Sequence, residues 1–382
     1  MPAQNAVMDD NQCQSVSTCS SYPDSRRRRT LRSRAISWFS KNQRKMPWRS
    51  RISLYRTWVS EIMLQQTQVA TVIDYFNRFM KAFPTIRALA EADQQKVLSL
   101  WEGLGYYRRA RSLHQAARQI CEFHGGEFPK SFDQVIRLPG IGRYTAGAIL
   151  SIADGQALPI LEGNTYRLHA RLLGLLEDPK EKEPEKLLWQ FATDLLPTNR
   201  SGQHPGQLNQ ALMELGSEIC KPLHPRCDAC PLRTQCVTHQ MGLENEIPVA
   251  SAKTRYEKLH QALVLLENSQ GDILVRQRQE NEWWSGLWDF VRVDLTAADC
   301  KTTFLKETIE TQTGTEVHLP TGPDLVIRHA VTRYRIQLDC YHLKTDFRNR
   351  PKEDYLARQR AEIRQLPLNV TARKLFRALE PD

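Results

Sequence analysis

Apolar residues recur at helical spacing from Leu31 to about Ile219. Short breaks at proline and glycine separate the runs, and strand-like alternation of apolar and polar positions is absent. The pattern therefore predicts an all-helical region built from several short helices. Its clearest runs contain Ile36 and Phe39, then Trp58, Ile62, Met63 and Val69, and then Tyr75, Phe76 and Phe79.

The hydrophobic period changes after a polar stretch at residues 241–257, which we interpret as a linker. Apolar runs at 262–266 and 273–275 predict two strands, joined by the turn-forming residues 268–271. Residues 258–382 are therefore expected to form a separate α+β domain, distinct from the mainly α region before the linker.

Residues 1–30 contain almost no large apolar side chains and end in four arginines at 26–29. Such a segment cannot bury enough apolar surface to offset its ordering entropy, so we expect a disordered basic tail. The helical domain is then expected to span residues 31–240. The four arginines either contact a nucleic acid or form an ordinary solvated run.

The composition points to a polyanionic partner, because the 382-residue chain carries a formal net charge of +10. No apolar run approaches the roughly 18 residues that a membrane span requires. The N-terminus lacks the apolar core of a secretory signal. We therefore expect a cytoplasmic protein, associated with the nucleoid and with no membrane partner.

Four of the nine cysteines stand at close spacing, in the pattern C-x6-C-x2-C-x5-C. Four thiolates on one short loop suit a tetrahedral sulfur site for either zinc or an iron–sulfur cluster, and this chemistry does not separate the two. Four unrelated buried cysteines are the alternative, which the spacing disfavours. The candidate ligands are Cys220, Cys227, Cys230 and Cys236. No such spacing relates Cys13, Cys19, Cys121, Cys300 and Cys340.

Residues 138–142 (Leu-Pro-Gly-Ile-Gly) are typical of a tight turn between two helices. Gly140 and Gly142 allow backbone N–H groups to approach a phosphate at a helix N-terminus. The segment therefore predicts a helix-hairpin-helix, which grips a DNA backbone without reading its sequence. An ordinary turn between packed helices is the alternative.

This hairpin, residues 161–164 (Leu-Glu-Gly-Asn) and the cysteine loop together resemble the endonuclease III superfamily of DNA glycosylases. The runs at 58–69 and 103–111 are more closely similar to the MutY-type adenine DNA glycosylases of that superfamily. The similarity is strong over residues 31–240 and fainter beyond. It implies a helical glycosylase domain whose loop at 220–236 holds a [4Fe-4S] cluster, followed by a Nudix-like lesion-recognition domain.

Breaking an N-glycosidic bond needs an acid for the leaving base and a carboxylate that stabilises an oxocarbenium-like sugar. Glu61 lies among apolar residues, where desolvation would raise its pKa and suit it to act as the acid. A glutamate on the helix surface is the alternative. The resemblance implies that Glu61 is the acid and base and that Glu162 stabilises the sugar. It also implies that Tyr144 and Asn164 position these two carboxylates.

Tyr144 bears on the type of reaction. In the lyase branch of the superfamily a lysine stands at this position and forms a Schiff base with the sugar. A phenol cannot do so, and we therefore expect a monofunctional glycosylase. Plain packing of Tyr144 on the hairpin is the alternative.

Glu162 departs from the family pattern, in which this position is an aspartate. The charge is kept, but the carboxylate moves by about one methylene. A misplacement of about 1 Å can cost on the order of 100-fold in rate. We therefore expect the activity to be reduced or altered.

Base flipping needs side chains that fill the space left by the extruded base. The family inserts side chains at positions that correspond here to Gln65, Gln66, Leu104 and Tyr106. Core packing is the alternative for the last two. Phosphate contacts, or else a solvated basic helix face, are expected from Arg108, Arg109 and Arg111.

Residues 284–290 (Trp-Ser-Gly-Leu-Trp-Asp-Phe) are similar to a run in the Nudix-like domain of the family. A Nudix hydrolase needs a glutamate cluster for Mg²⁺, which residues 306–310 do not supply, so we expect this domain to bind without hydrolysing. The Phe-Ser-His loop with which the family reads 8-oxoguanine corresponds to Val331-Thr332-Arg333. Thr332 can donate a hydrogen bond and Arg333 can bind guanine O6 or N7, so purine recognition is expected. The preference between 8-oxoguanine and guanine stays open.

These features predict a monofunctional adenine DNA glycosylase of base excision repair, which hydrolyses the glycosidic bond of adenine mispaired with 8-oxoguanine or guanine. We expect a monomer that acts on double-stranded DNA. One alternative is a paralogue with altered base-pair specificity, and another is a catalytically weak protein that binds damage. Base release separates the enzymes from the binder. Specificity across opposing bases separates the two enzymes.

Overall fold

The computed structural model describes residues 22–197, 202–249, 255–347, 352 and 354–379. Of the predicted tail at residues 1–30, residues 1–21 lie outside these ranges. The helices are α1 (Ser25–Asn42), α2 (Pro47–Ser50), α3 (Leu54–Leu64), α4 (Val69–Ala82), α5 (Ile86–Ala90), α6 (Gln94–Trp101), α7 (Arg108–His124), α8 (Phe132–Val135), α9 (Arg143–Asp154), α10 (Gly163–Leu173), α11 (Lys182–Asp194), α12 (Pro205–Glu218), α13 (Val237–Met241), α14 (Lys301–Thr313), α15 (Arg360–Gln365) and α16 (Val370–Ala378). The strands are β1 (Glu257–Glu267), β2 (Asp272–Gln277), β3 (Trp288–Asp289), β4 (Val291–Asp294), β5 (Leu325–Val331), β6 (Tyr334–Lys344) and β7 (Tyr355–Gln359).

The chain divides into two compact units, one formed by residues 1–61 and 129–252 and the other by residues 62–128 and 253–382. The described part of the first unit consists of helices and turns and contains no strand. The predicted helical N-terminal region is therefore confirmed. No helix in the described ranges is long and apolar enough to cross a membrane.

The helix α1 corrects the predicted extent of the tail, because it begins at Ser25 and includes all four arginines. Its side-chain cap is Asp24, which accepts a hydrogen bond from the backbone N–H of Arg27 at 2.7 Å. Leu31 and Phe39 of the same helix are buried in the core of the unit. The guanidinium of Arg27 donates to two backbone carbonyls, and this stabilises a basic segment that its composition alone would leave disordered.

The core of the first unit contains a histidine without a polar partner. His169 of α10 is fully buried, and neither ring nitrogen has a hydrogen-bond partner among the described residues. The ring packs edge-on against Phe191, with 5.2 Å between the ring centroids. Burial lowers the pKa of His169 to about 3, so the folded protein keeps this imidazole neutral.

Replacing His169 with Phe is therefore expected to remove part of the acid sensitivity of folding. In the unfolded chain this histidine binds a proton below pH 6.5, whereas the folded protein binds it only near pH 3. Above pH 6.5 this histidine does not change the free energy of unfolding with pH. Below pH 6.5 the free energy of unfolding falls by up to about 1.4 kcal/mol per pH unit. Urea denaturation of both proteins at pH 7.5 and pH 5 measures the effect. A stability difference that is equal at the two pH values would contradict this prediction.

The second unit contains α4 to α7 and a seven-stranded sheet in which the longest path runs β3-β2-β1-β6-β5. Strands β1 and β6 are parallel, and the other paired strands are antiparallel. The predicted hairpin is confirmed as the β1–β2 pair, with Glu267 opposite Ile273. The predicted α+β class of the C-terminal domain is likewise confirmed.

The division into units differs from the predicted boundary at residue 240, because residues 62–128 group with the C-terminal domain. Polar contacts join these segments within the second unit. The guanidinium of Arg373 donates to the carboxylate of Glu102 at 2.6 Å. The indole of Trp288 donates to Gln95 Oε1 at 3.0 Å. Helical periodicity could not reveal these contacts, since the partners lie far apart in the sequence.

Candidate active site

Glu61 lies near the end of α3, and the residues of this helix around its carboxylate are buried. Its neighbours Trp58, Ile62 and Met63 are at most 2% exposed, and Glu61 itself is 5% exposed. Burial raises the pKa of Glu61 to about 7. The carboxyl group therefore holds a proton in a substantial fraction of molecules at neutral pH.

Tyr144 is brought to Glu61 by the hairpin. Residues 138–142 form the turn between α8 and α9, in which Gly140 has a φ of 79°, and Tyr144 follows in the first turn of α9. Its phenol donates a hydrogen bond of 2.6 Å to Glu61 Oε2. This hydrogen bond lowers the pKa of Glu61 and so opposes the effect of burial.

Gly147 permits a close approach of α9 to the segment that leads into Glu162. A Cβ atom at this position would lie 2.6 Å from the backbone carbonyl oxygen of Pro159. Any larger residue would therefore push the two segments apart. The helix that carries Tyr144 and the segment that carries Glu162 are packed together at this point.

Glu162 is the N-cap of α10, and its carboxylate turns back onto the helix. Oε2 accepts the backbone N–H of Asn164 at 2.9 Å, and Oε1 accepts that of Thr165 at 3.1 Å. The hydroxyl of Thr165 accepts the backbone N–H of Glu162 at 2.8 Å, which completes a capping box. The helix terminus thus fixes the position of the carboxylate and favours its ionised form.

The two carboxylates have different environments. Burial raises the pKa of Glu162 as well, but the two backbone N–H groups oppose this rise. The charge of Glu162 in turn raises the pKa of Glu61. These effects favour a proton on Glu61 and a negative charge on Glu162, which is the separation of roles that paired catalytic carboxylates need.

Asn164 follows in the first turn of α10, where Arg167 holds its side chain. The guanidinium of Arg167 donates to Asn164 Oδ1 at 2.8 Å and to the backbone carbonyl of Gly216 at 2.7 Å. It also donates to the carbonyl of Cys220 at 2.6 Å. The structure therefore links Asn164 to the start of the cysteine loop through one side chain.

The four predicted ligand cysteines line a single small cavity, which Leu168 and Ile219 close on the apolar side. None of the four forms a disulfide. His239 and Glu244 lie at the same cavity and, with Cys227, make the one group of mixed ligands found among the described residues. The imidazole and the carboxylate are hydrogen-bonded to each other at 2.5 Å.

Arg171 is a residue of this loop region that the sequence analysis missed. It is 3% exposed, and Nη1 donates to Cys220 Sγ at 3.3 Å. The other donors bond to backbone carbonyls, including that of Glu244 at 2.7 Å. Its place in the apolar run of α10 was the available signal, since an arginine inside a buried helix must have acceptors for its donors.

The predicted DNA-contacting residues differ in exposure. Gly140 and Gly142 lie on the surface of the hairpin. Gln66 and Tyr106 are exposed and Gln65 is half-buried. Leu104 is only 6% exposed, which fits the core packing that the sequence analysis gave as its alternative.

The expected phosphate contacts of the basic run also need correction. Of the three arginines, Arg108 is exposed, but Arg109 and Arg111 direct their guanidinium groups to backbone carbonyls of the protein. Burial lowers the pKa of Arg109 to about 10. This arginine remains charged at neutral pH and is engaged internally.

A cavity of about 730 Å³ lies within the second unit. Among the described residues, its lining includes aromatic and basic side chains and no acidic one. Trp283, which the sequence analysis did not single out, is 37% exposed there and packs on Tyr334 with 5.2 Å between ring centroids. Thr332 lines the cavity with a φ of 49°. Arg333 is exposed beside it and pairs with Glu257 at 3.1 Å.

Comparison with known families agrees with this architecture. Residues 59–193 match the HhH-GPD superfamily of base excision DNA repair proteins, and residues 262–378 match the NUDIX domain. A solved structure of a thermostable thymine-DNA glycosylase has the same fold over 56% of this chain and 98% of its own. The TM-score is 0.51 and the sequence identity is 23%.

Several relatives share sequence with the chain. The adenine DNA glycosylase of Buchnera aphidicola (from Acyrthosiphon pisum) is 36% identical over 67% of this chain and 72% of its own length. The adenine DNA glycosylase of Rattus norvegicus is 42% identical over 55% of this chain, and that of Homo sapiens is 41% identical over 62%. The chain spans only 42% and 44% of these two longer relatives.

The fold and the match over residues 59–193 define the class of the protein as the helix-hairpin-helix superfamily of base excision DNA repair proteins. The identity with the Buchnera protein extends over more than two thirds of that relative. The chain belongs to the adenine DNA glycosylase family.

Proposed function

We propose that this protein hydrolyses the N-glycosidic bond of adenine mispaired with 8-oxoguanine or guanine in double-stranded DNA. The observation that carries the proposal is the buried Glu61 carboxyl group, hydrogen-bonded by Tyr144 and accompanied by the helix-capping carboxylate of Glu162. A proton donor and a fixed negative charge are the two groups that glycosidic cleavage requires.

In the first step Glu61 donates its proton to the adenine ring. The bond between C1′ and the base breaks, and its electron pair leaves with the base. The sugar acquires positive charge, which the carboxylate of Glu162 stabilises. Glu61, now ionised, accepts a proton from the water that adds to C1′.

The reaction is proposed to stop at base release. A Schiff base needs an amine at the sugar, and position 144 holds a phenol that is hydrogen-bonded to Glu61. A monofunctional glycosylase is therefore the proposed reaction type. The hairpin, with Gly140 and Gly142 at the surface, is proposed to bind the DNA backbone through its N–H groups.

The cavity in the second unit is proposed to receive the purine opposite the adenine. Aromatic faces at Trp283 and Tyr334 suit base stacking, and the basic side chains suit the electron-rich edge and the phosphates. Thr332 and Arg333 supply hydrogen-bond donors at its margin. Because Val331-Thr332-Arg333 stands in place of the Phe-Ser-His loop of the family, a paralogue with altered specificity is the second candidate.

Single-turnover release of adenine from three duplexes tests the proposed function. Adenine is placed opposite 8-oxoguanine, guanine or thymine, and the free base is measured. We expect release opposite 8-oxoguanine and guanine and little opposite thymine. Release restricted to a different pair would favour the paralogue, and binding without release from any duplex would favour the damage-binding protein.

Tyr144→Phe is expected to move the alkaline limb of the pH–rate profile to higher pH. Glu61 must be protonated to act as the acid, so the rate falls as pH rises through its pKa of about 7. Removing the phenol removes a hydrogen bond that lowers this pKa. Single-turnover rates from pH 5.5 to 9 measure the shift. A limb that stays in place, or moves to lower pH, would contradict the assigned role of Tyr144.

We also propose that Cys220, Cys227, Cys230 and Cys236 hold a [4Fe-4S] cluster. Such clusters are common in this fold family. The four thiols around one cavity fit this group, and the guanidinium of Arg171 at Cys220 Sγ compensates negative charge on sulfur. The cluster would stabilise the loop by tying together residues from its beginning and its end.

The anaerobically purified protein is expected to absorb broadly near 400 nm, and Cys236→Ser is expected to reduce this absorbance and the stability of the loop. Metal analysis distinguishes the alternatives. About four iron atoms per chain would support the cluster. One zinc atom per chain in a colourless protein would contradict the cluster and support a zinc site.

The partner is proposed to be double-stranded DNA with a mispaired adenine, bound by a monomer. The formal net charge of +10 fits a polyanionic partner. The protein would then act in the cytoplasm on nucleoid DNA.

A further inference from the structure

Two exposed residues outside the carboxylate site adopt a backbone conformation that is unfavourable for them. Gln66 has a φ of 56° and Tyr106 a φ of 48°. Left-handed φ values are uncommon for residues other than glycine and persist only where the surrounding structure holds them in place. Both residues belong to the second unit, Gln66 in the turn after α3 and Tyr106 in the segment before α7.

A single arginine bonds to the carbonyl directly before each of these residues. Nη1 of Arg109 donates to the carbonyl oxygen of Gln65, and Nη2 donates to that of Gly105 at 3.1 Å. These carbonyls belong to the peptide groups that lead into Gln66 and Tyr106. The planar guanidinium therefore fixes both peptide groups in orientation.

The other contacts of Arg109 extend this arrangement along both turns. Nη1 also lies 2.9 Å from the carbonyl of Ile62 and 3.0 Å from that of Met63, in the last turn of α3. Nη2 lies 3.2 Å from Thr67 Oγ1 and 3.4 Å from the carbonyl of Leu104. One side chain thus joins the segment 62–67 to the segment 104–105.

Arg109 is itself held in place. It is the second residue of α7, and its guanidinium lies over the rings of Trp101 and Tyr106, 5.5 Å from each centroid. The neighbouring Arg108 is exposed. Because the acceptors of Arg109 are backbone carbonyl groups and one hydroxyl of the protein, its terminal nitrogens are occupied by them, and Arg108 is the neighbouring arginine left to meet a phosphate.

We propose that Arg109 is a positioning residue that holds Gln66 and Tyr106 in the left-handed conformation, so that both side chains enter the duplex as one rigid pair. The inference rests on the proposed function, since it requires that a base is extruded. It assigns to Arg109 a role in base extrusion and none in backbone binding.

The test uses fluorescence of 2-aminopurine placed in the duplex at the adenine position, which rises when the base leaves the stack. The parent protein carries Glu61→Gln, so that the base is not released during the measurement. Arg109→Lys keeps the charge but lacks the planar fork, and Arg118→Lys, on the same helix, is the matched control. Affinity for an undamaged duplex is measured in parallel.

Arg109→Lys is expected to lose most of the fluorescence rise while its affinity for undamaged duplex stays within about twofold of the parent. In the chain with Glu61 restored, adenine release is expected to fall on the order of 100-fold, as for a misplaced group. Arg118→Lys is expected to keep the full fluorescence rise. A full rise in Arg109→Lys, or a loss in proportion to its loss of duplex affinity, would overturn the proposal.

Thr67→Val provides a second test if Arg109→Lys does not fold. It removes one acceptor of Arg109 and also the hydrogen bond that the Thr67 hydroxyl donates to the Gln65 carbonyl, while it keeps the side-chain shape. We expect it to lower the fluorescence rise about two- to fivefold at unchanged duplex affinity. An unchanged rise would overturn the proposal. A different result would contradict the proposed function alone. In that case the unsubstituted chain gives a fluorescence rise but releases no adenine from any duplex.

Discussion

Glu61→Gln is expected to reduce single-turnover adenine release by about 10³-fold or more. The carboxyl group supplies the proton to the leaving base and then accepts one from water, and general acid–base catalysis contributes up to about 10⁴-fold. Glutamine has nearly the same shape and can still accept the hydrogen bond of Tyr144. The loss should therefore lie in the chemical step, as measured by rapid mixing with excess enzyme.

Two controls accompany this prediction. Glu122→Gln changes an exposed glutamate on α7 and is expected to leave the rate unchanged. Affinity of the Glu61 variant for the mispaired duplex is expected to stay within a few-fold of the parent value. Adenine release at more than a tenth of the parent rate would remove Glu61 from the reaction.

Glu162→Gln is expected to reduce release by about 100-fold or more, whereas Glu162→Asp is expected to stay within about tenfold of the parent. The amide has no charge with which to stabilise the sugar. Aspartate keeps the charge and is a favoured N-cap, so its oxygens can accept the same two backbone N–H groups. The helix terminus, more than the side-chain length, then determines where the negative charge lies.

Stability measurements separate charge from capping in these variants. Glu162→Asp is expected to leave thermal unfolding nearly unchanged, and Glu162→Gln to lower stability by about 1 kcal/mol at most through the weakened cap. If Glu162→Asp lost as much activity as Glu162→Gln at unchanged stability, the position of the carboxylate would matter more than its charge.

Local sequence features allowed much of this architecture to be predicted. Helical spacing identifies the N-terminal helices, and the alternation of apolar runs with a turn identifies the β1–β2 hairpin, because each depends on neighbours in the chain. The cysteine spacing and the hairpin glycines are equally local. The burial of Glu61 follows from the apolar residues that surround it in α3.

Other features depend on contacts between distant residues and left no local signal. Four of the acceptors of Arg109 lie more than forty positions away, between Ile62 and Thr67, so the local sequence around Arg109 indicates only a basic run. The arginines at 26–29 form a charged run, yet Arg27 finds carbonyl partners near residues 172 and 235. The N-cap position of Glu162 has no local signal either, since glutamate is not among the favoured N-cap residues.

The bonds that join Glu102 to Arg373 and Gln95 to Trp288 also constrain how the gene can recombine. The linker directly precedes the C-terminal domain in the sequence. The helical residues that bond to this domain, Gln95 and Glu102, lie some 190 to 270 positions before their partners. A crossover with a homologue at residues 241–257 would combine residues 62–128 of one protein with the C-terminal domain of another. The two sides of these contacts would then come from different sequences. Exchange of the C-terminal domain between relatives is therefore expected to succeed where residues 62–128 are exchanged with it.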